Sequence, residues 1–330
     1  MPDAWLFTWF GLSAIISLAA SWLLVTRLER IGARIGLSEA LLGMVAALAA
    51  DGPEITSATT ALIGGHARIG AGIVIGSNVF NLAALLGLGA IVAGRIVLHR
   101  RVLAFEGLVA VAIAGICMAV VVGGASAAIG VIACAVVLIP YVAVSSGAAN
   151  QRWLPTTWRE WLAEAVAEEE SELEGALDHT RAGKVDVLAA IAALLAVIGA
   201  SVAMEQTAST LGGRHAVPEI VVGGLVLAAV TSLPNAVSAI YLAGRGRGAA
   251  TLSTALNSNA LNVLAGLMIP AAIVGLGGRS GQTTLITSWY AGLTILALGL
   301  GFAGRGLQRA AGLAIITGYA AFVLVIALIA

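Results

Sequence analysis

This chain carries very little charge. Asp, Glu, Lys and Arg make up 10% of its 330 residues, where a water-soluble domain carries about 25%. Hydrophobic residues make up 60%, and so small a polar surface cannot enclose that much apolar surface in water. A single soluble domain is excluded, and so is a disordered chain, which needs the opposite composition. The 17 basic and 17 acidic residues cancel and form no long basic stretch, so nucleic acid is not an expected partner. Cysteine is limited to Cys117 and Cys134, both inside apolar runs. With no CxxC or Cys/His spacing they read as core residues. The four histidines, His66, His99, His179 and His215, fall between apolar runs and are expected to be solvated. No HExxH motif, deep Asp pair or Ser/His pair lies within a run, so an intramembrane protease is not expected. No basic n-region precedes the first run, so no cleaved signal peptide is expected.

In place of charge the chain has long apolar runs, at about 5–26, 37–63, 70–93, 102–123, 126–148, 185–204, 218–243, 249–275, 283–303 and 309–329. Each is close to the roughly 20 residues that a helix needs to cross a bilayer. The period-two alternation of a β-barrel is absent. The expectation is an all-α membrane protein of ten transmembrane helices, with the lipid bilayer as solvent. Fourteen of the 17 Lys and Arg then fall on one side of the membrane, and only Arg68, Arg214 and Arg279 on the other. The positive-inside bias puts both termini outside and residues 149–184 in the cytoplasm. That loop, the one long polar stretch, carries Trp153, Trp158, Trp161 and the acids Glu168, Glu169, Glu170, Glu172 and Glu174. It reads as an interfacial helix and a solvated linker, joining residues 1–148 to residues 185–330.

The two halves resemble each other. At an offset of 181 residues Gly43 meets Gly224, Pro53 meets Pro234 and Ser57 meets Ser238, while Ser77, Asn78 and Asn81 meet Ser258, Asn259 and Asn262. Two copies of a five-span unit in one chain insert with opposite orientation, which is the inverted-repeat design of secondary transporters. Such folds bind their cargo near the midplane, where broken helices meet. Here the expected breaks are Asp51-Gly52-Pro53-Glu54 and Thr231-Ser232-Leu233-Pro234-Asn235. Each proline lacks an N–H and frees a carbonyl one turn earlier, near Ala47 to Ala50 and Ala228 to Thr231.

Asp51 and Glu54 sit deep in the second run, three residues apart and therefore on one helix face. An ionised acid at the bilayer centre costs at least about 2.5–3.5 kcal/mol, and no Lys or Arg lies within a run core to offset it. The missing countercharge is best supplied from solution, as a cation or as protons. Ser77, Asn78, Asn81, Thr231, Ser232, Asn235, Ser258, Asn259 and Asn262 offer oxygen ligands, without sulfur or imidazole, which suits Na⁺ or Ca²⁺. Two carboxylates balance one Ca²⁺, two Na⁺ or two protons. No prosthetic cofactor is expected; the ions are cargo. Glu39, Glu106, Asp186, Glu205 and Glu219 lie near run ends and read as interfacial or gate-rim residues.

These motifs resemble the cation/Ca²⁺ exchanger superfamily, which includes the Na⁺/Ca²⁺ exchangers. Its two repeats read roughly G-T-S-x-P-E followed by G-S-N-x-x-D/N. Here the first reads Ala-Asp-Gly-Pro-Glu (50–54) and Gly-Ser-Asn-Val-Phe-Asn (76–81). The second reads Thr-Ser-Leu-Pro-Asn (231–235) and Asn-Ser-Asn-Ala-Leu-Asn (257–262). The resemblance implies a secondary antiporter that exchanges Ca²⁺ for Na⁺ or H⁺ by alternating access. It implies ligands at Ala47, Asp51, Glu54, Ser77 and Asn81, then Ala228, Thr231, Ser232, Asn235, Ser258 and Asn262. It also implies that the first and sixth spans slide over the other eight. Three positions depart from the pattern. Asn235 stands where the family usually has a carboxylate, Asn262 where many members have Asp, and Asp51 where Ser is usual. One acid has in effect moved from the second repeat to the first. Na⁺/H⁺ exchange without Ca²⁺ and ion binding without transport stay open as alternatives, and nothing in the sequence sets the oligomeric state.

Overall fold

The computed structural model describes residues 2–35, 39–145, 156–157, 160–164, 167 and 183–329. Trp153, Trp158, the acidic run at 168–174 and His179 lie outside the described residues. The chain is built almost wholly of helices. Seven are long and apolar enough to cross a membrane: Asp3–Ile35, Ala67–Ala93, Arg100–Val121, Lys184–Arg214, Gly248–Val274, Gly281–Gly304 and Arg309–Ile329. An eighth span forms if Glu219–Thr231 and Leu233–Gly244, bent by 44°, are taken together. The helix Ala127–Ala143 is shorter, and Glu39–Ala50 adjoins Gly52–Ile63 end to end. In chain order we label Asp3–Ile35 α1, Glu39–Ala50 α2, Gly52–Ile63 α3, Ala67–Asn81 α4, Gly89–Ala93 α5, Arg100–Val121 α6, Ala127–Ala143 α7 and Lys184–Arg214 α8. There follow Glu219–Val221 α9, Ala228–Thr231 α10, Leu233–Gly244 α11, Gly248–Leu261 α12, Ile269–Val274 α13, Gly281–Gly304 α14 and Arg309–Ile329 α15.

Large apolar side chains face outward. Ile15, Trp22, Leu188 and Leu195 on α1 and α8, and Ile273 on α13, are all more than half exposed. In water that surface would be an aggregation site; in a bilayer it is the solvent face. The polar residues are inverted correspondingly, with Ser, Asn, Asp and Glu buried between helices.

α1 and α8 outrun the apolar runs that announce them. α1 has 33 residues rather than the expected 5–26, and α8 has 31 rather than 185–204. At 1.5 Å per residue α1 is about 50 Å long, against about 30 Å of hydrocarbon. The extra turns persist because their charges pair across the two helices. Arg214 donates to Asp3 at 2.8 Å and His215 lies 3.0 Å from the same carboxylate. At the opposite end Arg27 and Arg30 lie 2.6 and 3.6 Å from Asp186. Since the start of each helix meets the end of the other, the pair is antiparallel. Ser17 and Ser201 share a hydrogen bond of 2.8 Å at its middle.

Two segments form the enclosed centre. α4 runs into a π-helical stretch, Leu82–Leu88, and then α5; α12 runs into Asn262–Met268 and then α13. A third π-helical stretch, Val222–Leu227, joins α9 to α10. It packs against α4 at backbone contact distance. A Cβ on Gly76 would collide with the Gly224 carbonyl, and one on Gly223 with the Ile69 carbonyl. Glycine is required where two helices cross this closely.

Strands were not expected, but two three-residue strands occur. β1 (Arg95–Val97) pairs antiparallel with β2 (Gly306–Gln308), and Arg95 donates to the Arg305 carbonyl at 3.1 Å. Runs of three residues are too short to register as alternation in the sequence. Elsewhere His66 lies 3.3 Å from Glu219, and Arg279 donates to the Gly123 carbonyl at 2.9 Å.

Candidate cation site

The site forms where two helix junctions meet directly, with Ser258 of α12 beside them. α2 ends at Ala50 and α3 begins at Gly52, with Asp51 between them and Pro53 in the first turn. α10 ends at Thr231 and α11 begins at Leu233, with Ser232 between them and Pro234 following. Pro is tolerated in a first turn, where its missing N–H has no intrahelical partner to lose. The two junctions differ. The second bends by 44°. Main-chain bonds carry the helix through both: Asp51 N donates to the Ala47 carbonyl and Ile55 N to the Asp51 carbonyl, both at 2.9 Å, and Ser232 N donates to the Ala228 carbonyl and Ala236 N to the Ser232 carbonyl, at the longer 3.2 and 3.1 Å.

The freed carbonyls were expected near 47–50 and 228–231, and the two that the resemblance names, at Ala47 and Ala228, each keep hydrogen bonds of their own. Ala47 accepts from Asp51 N, and Ala228 accepts from Ser232 N at 3.2 Å and the Thr231 hydroxyl at 3.4 Å. Pro53 removes the main-chain donor of the carbonyl four residues earlier, at Ala49. The Ser21 hydroxyl of α1 replaces it, at 3.2 Å from Ala49 O and 3.4 Å from Ala50 O. Ser21 was not singled out in the sequence. Its signal was there: Ser13, Ser17 and Ser21 recur at intervals of four, the spacing of one helix face, and all three are buried.

Asp51 and Glu54 are fully buried. The Ser and Asn side chains that donate to them among the described residues all come from the second half of the chain. Asp51 Oδ1 accepts from Asn235 Nδ2 at 2.6 Å and from the Ser258 hydroxyl at 2.7 Å. Glu54 Oε1 accepts from the Ser232 hydroxyl, and Oε2 from Asn262 Nδ2 at 2.7 Å. At the offset of 181, Asp51 corresponds to Ser232 and Glu54 to Asn235, so each acid bonds the counterpart of the other. Asn81 Nδ2 closes the cluster, donating to the Ser258 hydroxyl and to Asn259 Oδ1, both at 3.1 Å.

The remaining predicted residues divide into two groups. Ser77 and Thr231 turn their hydroxyls to their own helices, to the carbonyls of Val74 and Leu227. Asn78 and Asn259 turn their amides to one another's backbone, each Nδ2 donating to the other's carbonyl at 3.1 Å. In this conformation those four residues hold helices rather than face the acids.

With all amide nitrogens engaged, the oxygens are left over. Asp51 Oδ2, Asn81 Oδ1, Asn235 Oδ1 and Asn262 Oδ1 are buried without a hydrogen-bond partner. Buried polar atoms are nearly always paired, and four orphan acceptors with no orphan donor among these residues make a coordination environment for a positive charge. Its hard oxygen chemistry fits Na⁺, Ca²⁺ or protons. No group of three or more His, Cys, Asp or Glu placed to hold a metal ion occurs among the described residues. Repulsion between the carboxylates points the same way. At the 5–6 Å spacing of helix neighbours and an effective dielectric of about 20, it amounts to about 3 kcal/mol.

Two acids expected at the interface are instead buried. Glu106, 1% exposed, accepts from the Tyr141 hydroxyl at 2.9 Å. Glu205 is 2% exposed within α8, which continues nine residues beyond it. Apolar runs mark where lipid lies and not where neighbouring helices cover a side chain. Asp186 and Glu219 do sit at helix ends, paired as described above.

A family model described as "Sodium/calcium exchanger protein" matches residues 5–146 and 185–328. A relative from Alkalimonas amylolytica named "Putative antiporter CaxA" is 35% identical over 86 residues, which is 26% of this chain and 27% of that relative. The fold resembles the crystal structure of the H⁺/Ca²⁺ exchanger CAX, with a TM-score of 0.74 at 15% identity over 98% of this chain and 82% of the other. It also resembles the sodium-calcium exchanger NCX_Mj, with a TM-score of 0.63 at 18% identity over 96% and 97% of the two chains.

Proposed function

The chain belongs to the sodium/calcium exchanger protein family, and on that footing we propose that it is a secondary antiporter exchanging Ca²⁺ for Na⁺ or H⁺ at the Asp51–Glu54 pair. The observation that carries the reading is the set of four unpartnered buried oxygens around two carboxylates. Ca²⁺ accepts oxygen ligands at flexible geometry and matches two negative charges. Two Na⁺ or two protons match the same charge, and competition for one charge-balanced site is what exchange requires. The two carboxylates are close enough to take up protons as a pair, so the site suits H⁺ as a counter-ion as well as Na⁺.

The same reading includes ten spans in two inverted five-helix repeats, residues 1–148 and 185–330, joined by a cytoplasmic loop at 149–184 with both termini outside. Several contacts support it. The ties Arg27–Asp186, Arg95–Arg305, Asp3–Arg214, His66–Glu219 and Arg279–Gly123 each join segments that the Lys and Arg distribution assigns to one side. The antiparallel α1–α8 pair, joined at both ends and at its middle, is the unit suited to slide as a block across the site.

The test is Ca²⁺ uptake by proteoliposomes of the purified protein under a Na⁺ gradient and, separately, a pH gradient, with Glu54→Gln as control. Uptake driven by either gradient and lost in the variant is the expected result and identifies the counter-ion. Absence of Ca²⁺ flux under both gradients would overturn the Ca²⁺ reading.

A further inference from the structure

Glu205 takes no part in the carboxylate pair. It lies on α8, 2% exposed, with Oε1 sealed from solvent and without a hydrogen-bond partner. It is nevertheless connected to the site by a short series of polar groups. Ser57 follows Glu54 by one turn of α3 and donates to the Ser201 carbonyl at 3.3 Å. Glu205 follows Ser201 by one turn of α8, about 6 Å further along the helix. The series leads toward the end of α8 that carries Arg214 and His215. There His66, the ionisable side chain that acts electrostatically on Glu205, is about half exposed and pairs with Glu219.

The charged groups on the elements packed around Glu205 are already engaged. α1 brings Asp3, held by Arg214 and His215; α3 brings Glu54, held by Ser232 and Asn262; α9 brings Glu219, beside His66. None of them donates a hydrogen bond to Glu205. A carboxylate enclosed in this way is stable only when a positive charge neutralises it.

The two halves also differ at this position. Ser17 and Ser201 pair at a separation of 184 residues, and because α1 and α8 are antiparallel, Ser21 and Glu205 lie one turn to either side of that contact as each other's counterparts. Ser21 is a donor that covers the Ala49 and Ala50 carbonyls. Its counterpart is an acid with nothing to accept from. One flank of the site is thus closed by a hydroxyl, and the other offers a single negative charge.

We infer that Glu205 is a second cation-accepting station. It takes one monovalent charge, a proton or Na⁺, between the Asp51–Glu54 pair and the end of the protein marked by His66 and Glu219. The inference rests on the antiport reading above, in which the pair takes the divalent ion. One carboxylate balances one monovalent charge, so the coupling ion has a stopping place that Ca²⁺ does not share.

The test compares wild type, Glu205→Gln and Glu205→Asp by infrared difference spectroscopy in lipid, then by flux. In the first arm pH is changed at constant Na⁺; in the second, Na⁺ is changed at constant pH. A carboxyl band that responds and is missing from Glu205→Gln is expected. Response in the first arm alone identifies the proton, and response in the second identifies Na⁺. Equilibrium Ca²⁺ binding by Glu205→Gln should stay within about twofold of wild type. Its flux should lose at least tenfold of its sensitivity to the coupling ion in the compartment facing His66, with Glu205→Asp intermediate. Spectra of Glu205→Gln identical to wild type in both arms would overturn the inference, as would loss of Ca²⁺ binding by a folded Glu205→Gln. The infrared arms need no transport, so a wild-type protein without Ca²⁺ flux would sink the antiport reading and still leave Glu205 decided.

Discussion

Asn78 and Asn259 each donate a side-chain hydrogen bond to the other's main-chain carbonyl, both at 3.1 Å. They are 181 residues apart, the offset at which the sequence aligns with itself. Reciprocal bonds between counterpart residues mean that α4 and α12 cross with a local two-fold relation. The clamp lies one turn from Asn81 and Asn262, so it fixes the distance between the two helices that flank the acids.

Removing half of that clamp exposes its role. Asn78→Ala and Asn259→Ala should each destabilise the protein by about 0.5–1.5 kcal/mol, because each removes one buried hydrogen bond while the facing carbonyl keeps its main-chain donor, Leu82 N or Asn262 N. The double variant should cost less than the sum, since one contact region is lost twice. Thermal unfolding in detergent measures this. Unchanged stability together with lost Ca²⁺ binding would make the two residues ligands instead.

Exchanging acid and amide across the junctions is a sharper test of the pair. Asp51→Asn alone should reduce Ca²⁺ flux at least about 100-fold, as a charge leaves the site. Asp51→Asn with Asn235→Asp keeps two carboxylates and preserves the amide–carboxylate contact now made at 2.6 Å. The double variant should recover at least a tenth of wild-type flux. No recovery would mean that the position of the acid matters and not the charge count.

Much of this arrangement was legible beforehand. Pro53 with Pro234, and Ser77-Asn78-xx-Asn81 with Ser258-Asn259-xx-Asn262, drew attention to the two segments whose side chains meet around the buried acids. The sequence could not disclose how hydrogen bonds would be shared. An asparagine reads the same whether its amide clamps a helix, as at Asn78, or serves a carboxylate, as at Asn262. Nor could hydropathy give the length of α1 and α8, whose outer turns are held by ion pairs between residues far apart in the chain. Glu106 and Glu205 were misjudged for a related reason. Closeness to the end of an apolar run says nothing about what a neighbouring helix covers.

Cysteine pairs can separate the moving unit from its surroundings. Ser17→Cys with Ser201→Cys joins α1 to α8 at a contact of 2.8 Å. Oxidation should leave Ca²⁺ flux above about half of the reduced level, because both helices belong to one block. Gly52→Cys with Val197→Cys ties α3 to α8, where a Cβ on Gly52 would lie 3.2 Å from Val197 Cγ1, and oxidation there should stop flux, with recovery on reduction. The opposite pattern would show that α1 and α8 move separately.

Glu106 gives a control outside the site. Glu106→Gln keeps a polar partner for the Tyr141 hydroxyl. It should leave the Ca²⁺ dependence of flux within about twofold of wild type. A larger change would extend the ion route to α6.

The Ser and Asn side chains that donate to Asp51 and Glu54 belong to residues 232–262, about 180 positions further along the chain. At a synthesis rate of about 5–20 residues per second, they follow the acids by roughly ten to forty seconds. Throughout that interval the first half holds two carboxyl groups without these donors. The nascent protein must therefore keep this segment in contact with water, or carry it into lipid with protons or a cation already attached. Biogenesis thus confronts the same charge-neutralisation problem, before the second half exists, that the finished protein meets at each turnover.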